Sequence, residues 1–271
     1  MRIIKRFRLS SDSAVTLGVF FVFFFIFIIF TYPFIFVKEN EYLKTIFLNI
    51  GQGDSTLIKT PKQKYILIDG GPDKTIFYRL GRYMPFWKKN IDLVIISHPH
   101  ADHITGILEL LNRYSIKKIM MTDAALFTSE YKTLTQEIKE KNINIEIIRE
   151  KKTIEIEPSI VFEFFHPEKS YSEISDNDVN NSSILLRMTY GKTSFLFTGD
   201  LEKSGQMENL SENINSDIFK VPHQGSSDSL NIEFLEKVVK KVDVIVISDY
   251  AKGVITAGIC NKLVQLSKVH N

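Results

Sequence analysis

The stretch Ser97-His98-Pro99-His100-Ala101-Asp102-His103 directly follows the apolar run Ile91–Ile96. Continuous apolar character over so few residues is typical of a buried strand. A strand that ends in this cluster carries three imidazoles and one carboxylate from a rigid edge into a small volume. Borderline divalent cations such as zinc bind these nitrogen and oxygen ligands. Because three of the six histidines of the chain lie here, the stretch predicts a metal site rather than a loop rich in histidine by chance.

The composition limits what the rest of the chain can be. Its 271 residues, 44% of them hydrophobic, allow one large domain or two small ones with a real core. The single cysteine, Cys260, excludes an internal disulfide and a thiolate metal cluster. Removing the four basic residues and one acidic residue of positions 1–37 from the totals of 34 and 32 leaves 30 basic and 31 acidic residues. This near-neutral balance gives no support to tight nucleic-acid binding through bulk charge.

The N-terminal part has the composition of a membrane segment. Residues 14–37 carry no charge and are mostly aromatic or aliphatic, and a helix of this length exceeds the hydrocarbon thickness of a bilayer. A secretory signal peptide is the alternative, but its apolar core is normally shorter and no small-residue cleavage site follows here. The sequence therefore predicts a basic cytoplasmic N-terminus over residues 1–13 and a transmembrane helix over residues 14–37. Since the basic cluster precedes the span, the remaining domain is expected on the extracytoplasmic side.

The remainder of the chain contains many short predicted strands and few predicted helices. Hairpins are predicted around Gly51–Asp54 and Gly191-Lys192, and a helix is predicted over residues 103–113 with Asp102 as its N-cap. Residues 170–182 are rich in Asn, Asp and Ser and predict a loop. Strands followed by helices and then strands again favour an α/β fold, a layered sandwich of two sheets with outer helices.

Three further residues place a carboxylate or an imidazole directly after an apolar strand. They are Asp69, Asp200 and His223. An aspartate beside a glycine is more often a turn former, and a lone histidine at a strand end is most often a surface residue. Function in layered α/β folds concentrates at strand edges, however, so the three residues and the cluster His98–His103 together predict one shared site.

The order of these motifs resembles the metallo-β-lactamase fold of metal-dependent hydrolases, and within it the C-terminal hydrolase domain of the ComEC competence proteins. The motifs that carry the resemblance are Gly51–Ser55, Asp69–Gly71, His98–His103, Asn180–Ser183, Gly199-Asp200 and His223–Ser226. The resemblance covers residues 43–240. It implies an αββα metallo-β-lactamase sandwich there, and a hydrolase that acts on phosphodiester bonds, nuclease-like and related to DNA uptake.

The resemblance also implies a centre with two divalent metal ions, zinc in the first place and manganese or iron as alternatives. Its ligands would be His98, His100, Asp102, His103, Asp200 and His223. The first cation would take His98 and His100, and Asp200 would bridge to the second. Asp102 would also be needed for catalysis. Two cations suit attack on a phosphodiester, in single-stranded DNA or another substrate, because the attacking and leaving oxygens both need screening.

Further residues would hold substrate or support the ligands. They are Asp69, Asn181, Ser183, Gln224 and Ser226. Asp69 is a candidate for holding an imidazole in place. Asn181 and Ser183 stand where other branches of the fold supply a histidine ligand, and their side chains would orient substrate or water. His166, between a strand and a proline, is interpreted as structural.

Two departures from the ComEC pattern leave alternatives open. Gln224 replaces the second histidine of a His-His-Gly-Ser motif, so the second metal site is impaired if that histidine is the ligand. The atypical C-terminal segment, residues 241–271, resembles over part of its length a fragment of a ribokinase-like (PfkB) sugar kinase without its catalytic segments. The alternatives are a surface phosphoesterase with another substrate and a catalytically impaired accessory protein of a DNA-uptake system.

Overall fold

The computed structural model describes residues 11–36, 42–226, 229–240 and 242–248, together with residues 261 and 264. The chain divides into two compact units between Glu41 and Tyr42. Of the C-terminal segment, residues 241–271, the structure describes only residues 242–248, 261 and 264, so the partial resemblance to a sugar kinase stays a prediction.

Helix α1, Ser11–Phe36, belongs to the N-terminal unit. Its side-chain exposure is described over residues 15–31, where phenylalanines such as Phe23 and Phe25 are 67% and 64% exposed. Over the residues that the structure describes, no helix combines the length and the apolar character needed to cross a membrane. The transmembrane helix predicted over residues 14–37 is therefore not confirmed.

The second unit is built from short strands and helices. The strands are β1 Lys44–Phe47, β2 Thr56–Lys59, β3 Tyr65–Ile68, β4 Asn90–Ile91, β5 Leu93–Ile96, β6 Ser115–Ile116, β7 Lys118–Met121, β8 Asn144–Ile147, β9 Lys152–Glu157, β10 Ile160–His166, β11 Leu185–Tyr190, β12 Thr193–Phe197, β13 Ile218–Lys220 and β14 Val244–Val246. The helices are α2 Thr75–Leu80, α3 Ala101–Leu110, α4 Ser129–Glu140, α5 Lys203–Glu208 and α6 Ile232–Val239, with 3₁₀ helices at Asp176–Ser182 and Pro222–Gly225.

Two six-stranded sheets carry the fold. Their strand orders are β1-β2-β3-β5-β7-β8 and β14-β13-β12-β11-β10-β9, and β4 pairs with β6 separately. In the first sheet β1 to β3 are antiparallel, whereas β3, β5, β7 and β8 are parallel. In the second sheet β9 to β12 are antiparallel, and β12 to β14 are parallel. The antiparallel pairs β1–β2 and β11–β12 confirm both predicted hairpins.

Alternation along the strands separates an inner apolar layer from outer ones. Ile66 and Ile68 of β3 pack in one cluster with Phe162 and Phe164 of the second sheet. Leu67, which points to the opposite face, packs with residues of α2, α3 and α4. On the far side of the second sheet, residues of β11 to β13 pack with α6. Helices therefore cover the outer faces of two stacked sheets, and the predicted α/β sandwich is confirmed.

The structure corrects two local predictions. Helix α3 begins at Ala101 with His100 at the N-cap position, so Asp102 lies in the first turn and is not the N-cap. A carboxylate is also favourable there because of the helix dipole. The loop predicted over residues 170–182 contains the 3₁₀ helix Asp176–Ser182. Helices α2, α5 and α6 have 6, 6 and 8 residues, which is too short for a clear helical periodicity in the sequence.

His166 is buried at the end of β10 and serves the fold. Its Nε2 donates to the backbone oxygen of Asn181 at 2.8 Å, and its Nδ1 accepts from Nδ2 of Asn209 at 3.2 Å in the tautomer that satisfies both. Burial lowers the pKa of this imidazole. Both nitrogens of the neutral ring are therefore used by protein groups, as the structural interpretation of His166 requires.

We expect His166→Phe to lower the free energy of unfolding by about 1–3 kcal/mol near neutral pH, because buried partners on Asn181 and Asn209 lose their hydrogen bonds. The difference from the wild type should shrink as the pH falls below about 6.5. There the unfolded wild-type chain takes up a proton on His166 that the folded chain, with its lowered pKa, does not. Urea unfolding of chelator-treated proteins at several pH values measures this, and a difference that grows on acidification would contradict it.

Candidate metal centre

Several of the predicted site residues follow strands that end at one edge of the two sheets. Asp69 follows β3, His98 follows β5 after one residue, and Asp200 follows β12 after two. Strands β3 and β5 are parallel neighbours, so their carboxyl ends lie side by side. His223 follows β13, the parallel neighbour of β12, and brings the second sheet to the same place.

His98, His103 and Asp200 converge in this place. All three are buried, and each offers one ligand atom such that these atoms lie within 4.8 Å of one another. Nε2 of His103 is 3.3 Å from Oδ2 of Asp200, and the ring centroids of His98 and His103 are 4.2 Å apart. Nε2 of His98 is 3.0 Å from Nδ1 of His100, which places His100 beside the same cluster.

The cluster fits a divalent cation. Two of its buried atoms, Nε2 of His103 and Oδ1 of Asp200, have no hydrogen-bond partner among the described residues. Burying a polar atom without a hydrogen-bond partner costs free energy. A cation bound to that atom would offset this cost. Imidazole nitrogen and carboxylate oxygen are also the donor types that zinc takes in catalytic sites.

The charges of the metal-free cluster depend on one another. Burial alone would lower the pKa of His103, but the carboxylates of Asp200 and Asp69 raise it well above its ordinary value. Burial alone would raise the pKa of Asp200, yet the charge of His103 holds it below its usual range. Burial, followed by the charge on His103, keeps the pKa of His98 well below 6.5. These shifts favour the charged forms of His103 and Asp200 and the neutral form of His98, which leaves the nitrogen atoms of His98 available as metal ligands.

Asp69 binds the imidazole of His103 on the side opposite Asp200. Its Oδ2 accepts from Nδ1 of His103 at 3.0 Å and from Oγ of Ser97 at 2.7 Å, while its Oδ1 accepts from the backbone N of Ser97 at 2.8 Å. The bond from Nδ1 fixes the ring so that Nε2 faces Asp200. Sequence reasoning missed Ser97, although its hydroxyl stands directly before the first histidine of the motif.

His223 faces Asp200 from the second sheet. Its Nε2 is 3.9 Å from Oδ2 of Asp200, and its Nδ1 lies 2.9 Å from Oγ of Ser229 and 3.4 Å from Oε1 of Glu202. The turn Pro222–Gly225 holds His223 at φ 46°, and its backbone N donates to the oxygen of Gly199 at 3.2 Å. The first position of the motif is thus the one directed at the cluster. Glu202 and Ser229 were not found from the sequence.

Asp102, His100 and Gln224 lie around this cluster. Asp102 is half-buried in the first turn of α3 and is not one of the three residues whose ligand atoms converge. Burial lowers the pKa of His100, and the charge of Asp102 acts against that effect. Gln224 is buried, and its Nε2 has no partner among the described residues.

The segment before β11 supports the centre through its backbone and side chains. Ser183 Oγ accepts from the backbone N of Asp200 at 3.1 Å, which fixes that residue. Asn181 is turned toward α5, where its Oδ1 accepts from the backbone N of Gly205 at 3.1 Å. The neighbouring Asn180, missed from the sequence, lies beside His100 and donates from Nδ2 to Oε1 of Glu202 at 2.8 Å. Ser226 closes the turn of His223 by donating from its backbone N to that residue's oxygen at 2.9 Å.

Helix α3 reaches the site because it packs closely on two glycines, Gly70 and Gly71, in the loop after β3. The backbone N of Gly106 donates to the oxygen of Gly71 at 2.8 Å, and a Cβ on Gly106 would lie 1.9 Å from the oxygen of Gly70. The backbone N of Gly70 in turn donates to the oxygen of His103 at 2.8 Å. The position of His103 therefore depends on close backbone contact at Gly106.

We expect Gly106→Ala to lower the free energy of unfolding by about 1–3 kcal/mol, because the added methyl group must displace α3 from the loop. The same displacement should weaken the affinity for Zn²⁺. Urea unfolding and calorimetric titration measure the two effects. The adjacent Thr105→Ala is the matched control and should change neither appreciably; equal effects of both substitutions would contradict the packing argument.

Known proteins share these features. A family model of the metallo-β-lactamase superfamily matches residues 48–249. ComE operon protein 3 of Bacillus subtilis (strain 168) is 30% identical over 238 residues, which cover 81% of this chain and 30% of that protein. Competence protein ComA of Neisseria gonorrhoeae is 25% identical over 209 residues, covering 74% of this chain and 26% of that protein. The chain thus spans less than a third of the length of either relative.

A solved structure supports the fold. Igni18, a metallo hydrolase of Ignicoccus hospitalis KIN4/I, superposes with a TM-score of 0.54 at 16% sequence identity, covering 83% of this chain and 91% of that one. The matched family range contains the histidine cluster, Asp200 and His223. The resemblance inferred from the motifs, including its likeness to competence proteins, is confirmed. The chain belongs to the metallo-β-lactamase superfamily.

Proposed function

We propose that this chain hydrolyses phosphodiester bonds, with single-stranded DNA as its substrate, in a DNA-uptake system. The observation that supports this most is the convergence of two imidazoles on one carboxylate: Oδ2 of Asp200 lies 3.3 Å from His103 and 3.9 Å from His223. A carboxylate between ligands from both sheets suits a bridge between two cations. The names of the two competence relatives supply the biological setting.

The proposed ligands of two zinc ions, or of manganese or iron, are His98, His100, Asp102, His103, Asp200 and His223. Bound cations would supply Lewis acidity, which activates water and offsets the negative charge that builds on a phosphodiester. The remaining chemistry is positional. Asp69 and Ser97 hold His103, whereas Ser229 and Glu202 hold His223, so that each Nε2 faces Asp200.

The direction of His223 bears on the alternatives. The motif His223–Ser226 differs from the family's His-His-Gly-Ser at its second position, Gln224. Nε2 of His223, at the first position, is the atom directed at Asp200, so Gln224 leaves that contact in place. This favours an intact second site over a catalytically impaired accessory protein. The surface phosphoesterase differs only in its substrate, so activity measurements separate it from the nuclease.

The test uses the purified full chain in detergent. We expect about two equivalents of metal per chain and cleavage of single-stranded DNA that chelator removes and Zn²⁺ or Mn²⁺ restores. Asp102→Ala should abolish cleavage, and Glu140→Gln, which changes an exposed carboxylate on α4, should not. Metal-loaded protein that cleaves only small phosphodiesters or choline-phosphate esters would support the surface phosphoesterase. Protein without metal and without turnover would overturn both enzyme proposals.

We also propose that α1 attaches the chain to a membrane, with the hydrolase domain of residues 43–240 outside the cytoplasm. The exposed phenylalanines of α1 form a large contiguous apolar surface, which is unfavourable in water and favourable in lipid. Alkaline extraction of cell membranes and protease accessibility in spheroplasts test attachment and side. A chain that remains in the supernatant without detergent would overturn the proposal.

A further inference from the structure

One edge of the second unit carries aromatic and basic side chains at the strand ends opposite the metal centre. Tyr65 begins β3, and Asp69 follows its other end. In the sheet register Lys44 pairs with Lys59, and Lys59 pairs with Tyr65. Nζ of Lys59 and Nζ of Lys88 lie 5.6 and 5.8 Å from the Tyr65 ring centroid. We call Lys44, Lys59, Lys88 and the adjacent Phe86 and Trp87 the aromatic–basic edge.

The charge on this edge is not neutralised within the described chain. Residues 74–91 contain five basic residues and no acidic one. Among the described residues, no carboxylate lies within ion-pair distance of Lys44, Lys59 or Lys88. Burial, and after it the charges of Lys44 and Lys88, lower the pKa of Lys59, as expected for cations that crowd one another. The edge therefore attracts anions.

The same edge exposes large apolar surface. Phe86 is 78% exposed and Trp87 is 46% exposed, and their rings meet edge to face with centroids 4.8 Å apart. Both stand directly before Lys88. Tryptophan beside basic residues is the composition of protein surfaces that lie at a membrane–water interface, where the ring enters the headgroup layer and the cations meet phosphate.

The chain connection points to the same partner. Strand β1 begins at Lys44, so the polypeptide that follows α1 enters the second unit at the aromatic–basic edge. The eight residue steps from Phe36 to Lys44 span at most about 28 Å. Lys44 is therefore separated from α1 by only a short length of chain.

We propose that the aromatic–basic edge docks on an anionic lipid surface, with Phe86 and Trp87 in the interface and the lysines at the headgroups. The metal centre, at the other end of β3 and β5, then faces away from the membrane. The inference rests on the proposed attachment through α1. A nucleic-acid partner fits less well, because a strand bound along this edge would lie at the end of the sheets opposite the centre.

Trp87 is the only tryptophan of the chain, so its fluorescence reports this edge directly. The full chain is reconstituted into vesicles of phosphatidylcholine with or without phosphatidylglycerol. With the anionic lipid we expect its emission to shift to shorter wavelength and to be quenched by lipids brominated near the headgroup. The variant Lys44→Glu/Lys88→Glu should lose both effects. The matched control Lys132→Glu removes a cation 5.9 Å from the exposed Phe127 ring, which follows the opposite end of β7, and should keep both.

Flotation of the same vesicles separates the two proposals. A chain that floats while Trp87 stays in water-like surroundings, unquenched in anionic vesicles, overturns docking and leaves attachment intact. A chain that does not float overturns attachment, and with it the docking that depends on it. Quenching of Trp87 by oligodeoxythymidylate in detergent, with no response to lipid, would show that the edge binds single-stranded nucleic acid instead.

Discussion

Asp200→Asn is expected to abolish hydrolysis while hardly changing the stability of the metal-free fold. Removing a residue that merely supports a metal ligand costs about 10–100-fold in affinity or activity, so loss of a bridging ligand should cost more than about 100-fold. The metal-free fold should change by no more than about 1 kcal/mol. Without the Asp200 charge the pKa of His103 falls, so this imidazole can release its proton, keep its hydrogen bond to Asp69 and leave no buried charge without a partner. Zn²⁺ titration, turnover and urea unfolding with chelator measure the three quantities.

Asp69→Asn is the matched comparison, since it changes the carboxylate on the other side of the same imidazole. Three hydrogen bonds from Ser97 and His103 depend on that buried carboxylate, so the metal-free fold should lose about 2–3 kcal/mol. Its metal affinity should fall by about 10–100-fold, less than for Asp200→Asn. If the two variants exchanged these behaviours, Asp69 would be the ligand and Asp200 the support.

Lys220→Met is expected to lower the free energy of unfolding by about 3–5 kcal/mol. Lys220 ends β13, is 5% exposed, and forms an ion pair with Asp54, which is 4% exposed. Removing the lysine takes the cation from a buried carboxylate that also accepts from Oγ of Ser248 at 3.2 Å, and this is costlier than removing both charges. The double variant Asp54→Leu/Lys220→Met should therefore recover most of the loss. Urea unfolding of the single and double variants measures this cycle.

The position of this pair gives it a second effect. Asp54 follows Gly53, whose Cβ would lie 2.1 Å from the backbone oxygen of Asp102, and Lys220 stands three residues before His223. The pair thus joins the turns that flank the two sides of the centre, and Lys220→Met should also weaken Zn²⁺ binding. Lys141→Met, which breaks the more exposed pair with Glu137, is the control and should cost less than about 1 kcal/mol. Equal losses of unfolding free energy in Lys220→Met and Lys141→Met would show that burial does not make the ion pair with Asp54 more important for stability.

The sequence predicted strands and turns correctly where the residues of one short segment determine them. The apolar run before Ser97 became the buried strand β5, and the turns at Gly51–Asp54 and Gly191-Lys192 became the predicted hairpins. Burial alternates with a period of two along β10, which is a property of neighbouring residues alone. The cluster of histidines and the family it indicates were equally local, since the motif occupies consecutive positions.

The sequence could not decide which of two adjacent residues faces the site. Asn181 was predicted to orient substrate, yet the structure turns it toward Gly205 and brings Asn180 to the side of His100. Both belong to the 3₁₀ helix Asp176–Ser182, in which consecutive side chains point in different directions. Asp102 was taken for an N-cap for a similar reason, because helix ends predicted from sequence are uncertain by a few residues.

The sequence by itself determined which residue types are available, the strands that carry them and the family to which the chain belongs. Only the tertiary structure decided which of these side chains meet. Asp69 reaches His103 across 34 residues, and Lys220 reaches Asp54 across 166. Such contacts depend on the order β3-β5-β7 within a sheet and on the stacking of two sheets, and neither leaves a period in the local sequence. For that reason Ser97, Glu202 and Ser229, which hold the ligands in place, became visible only in the folded chain.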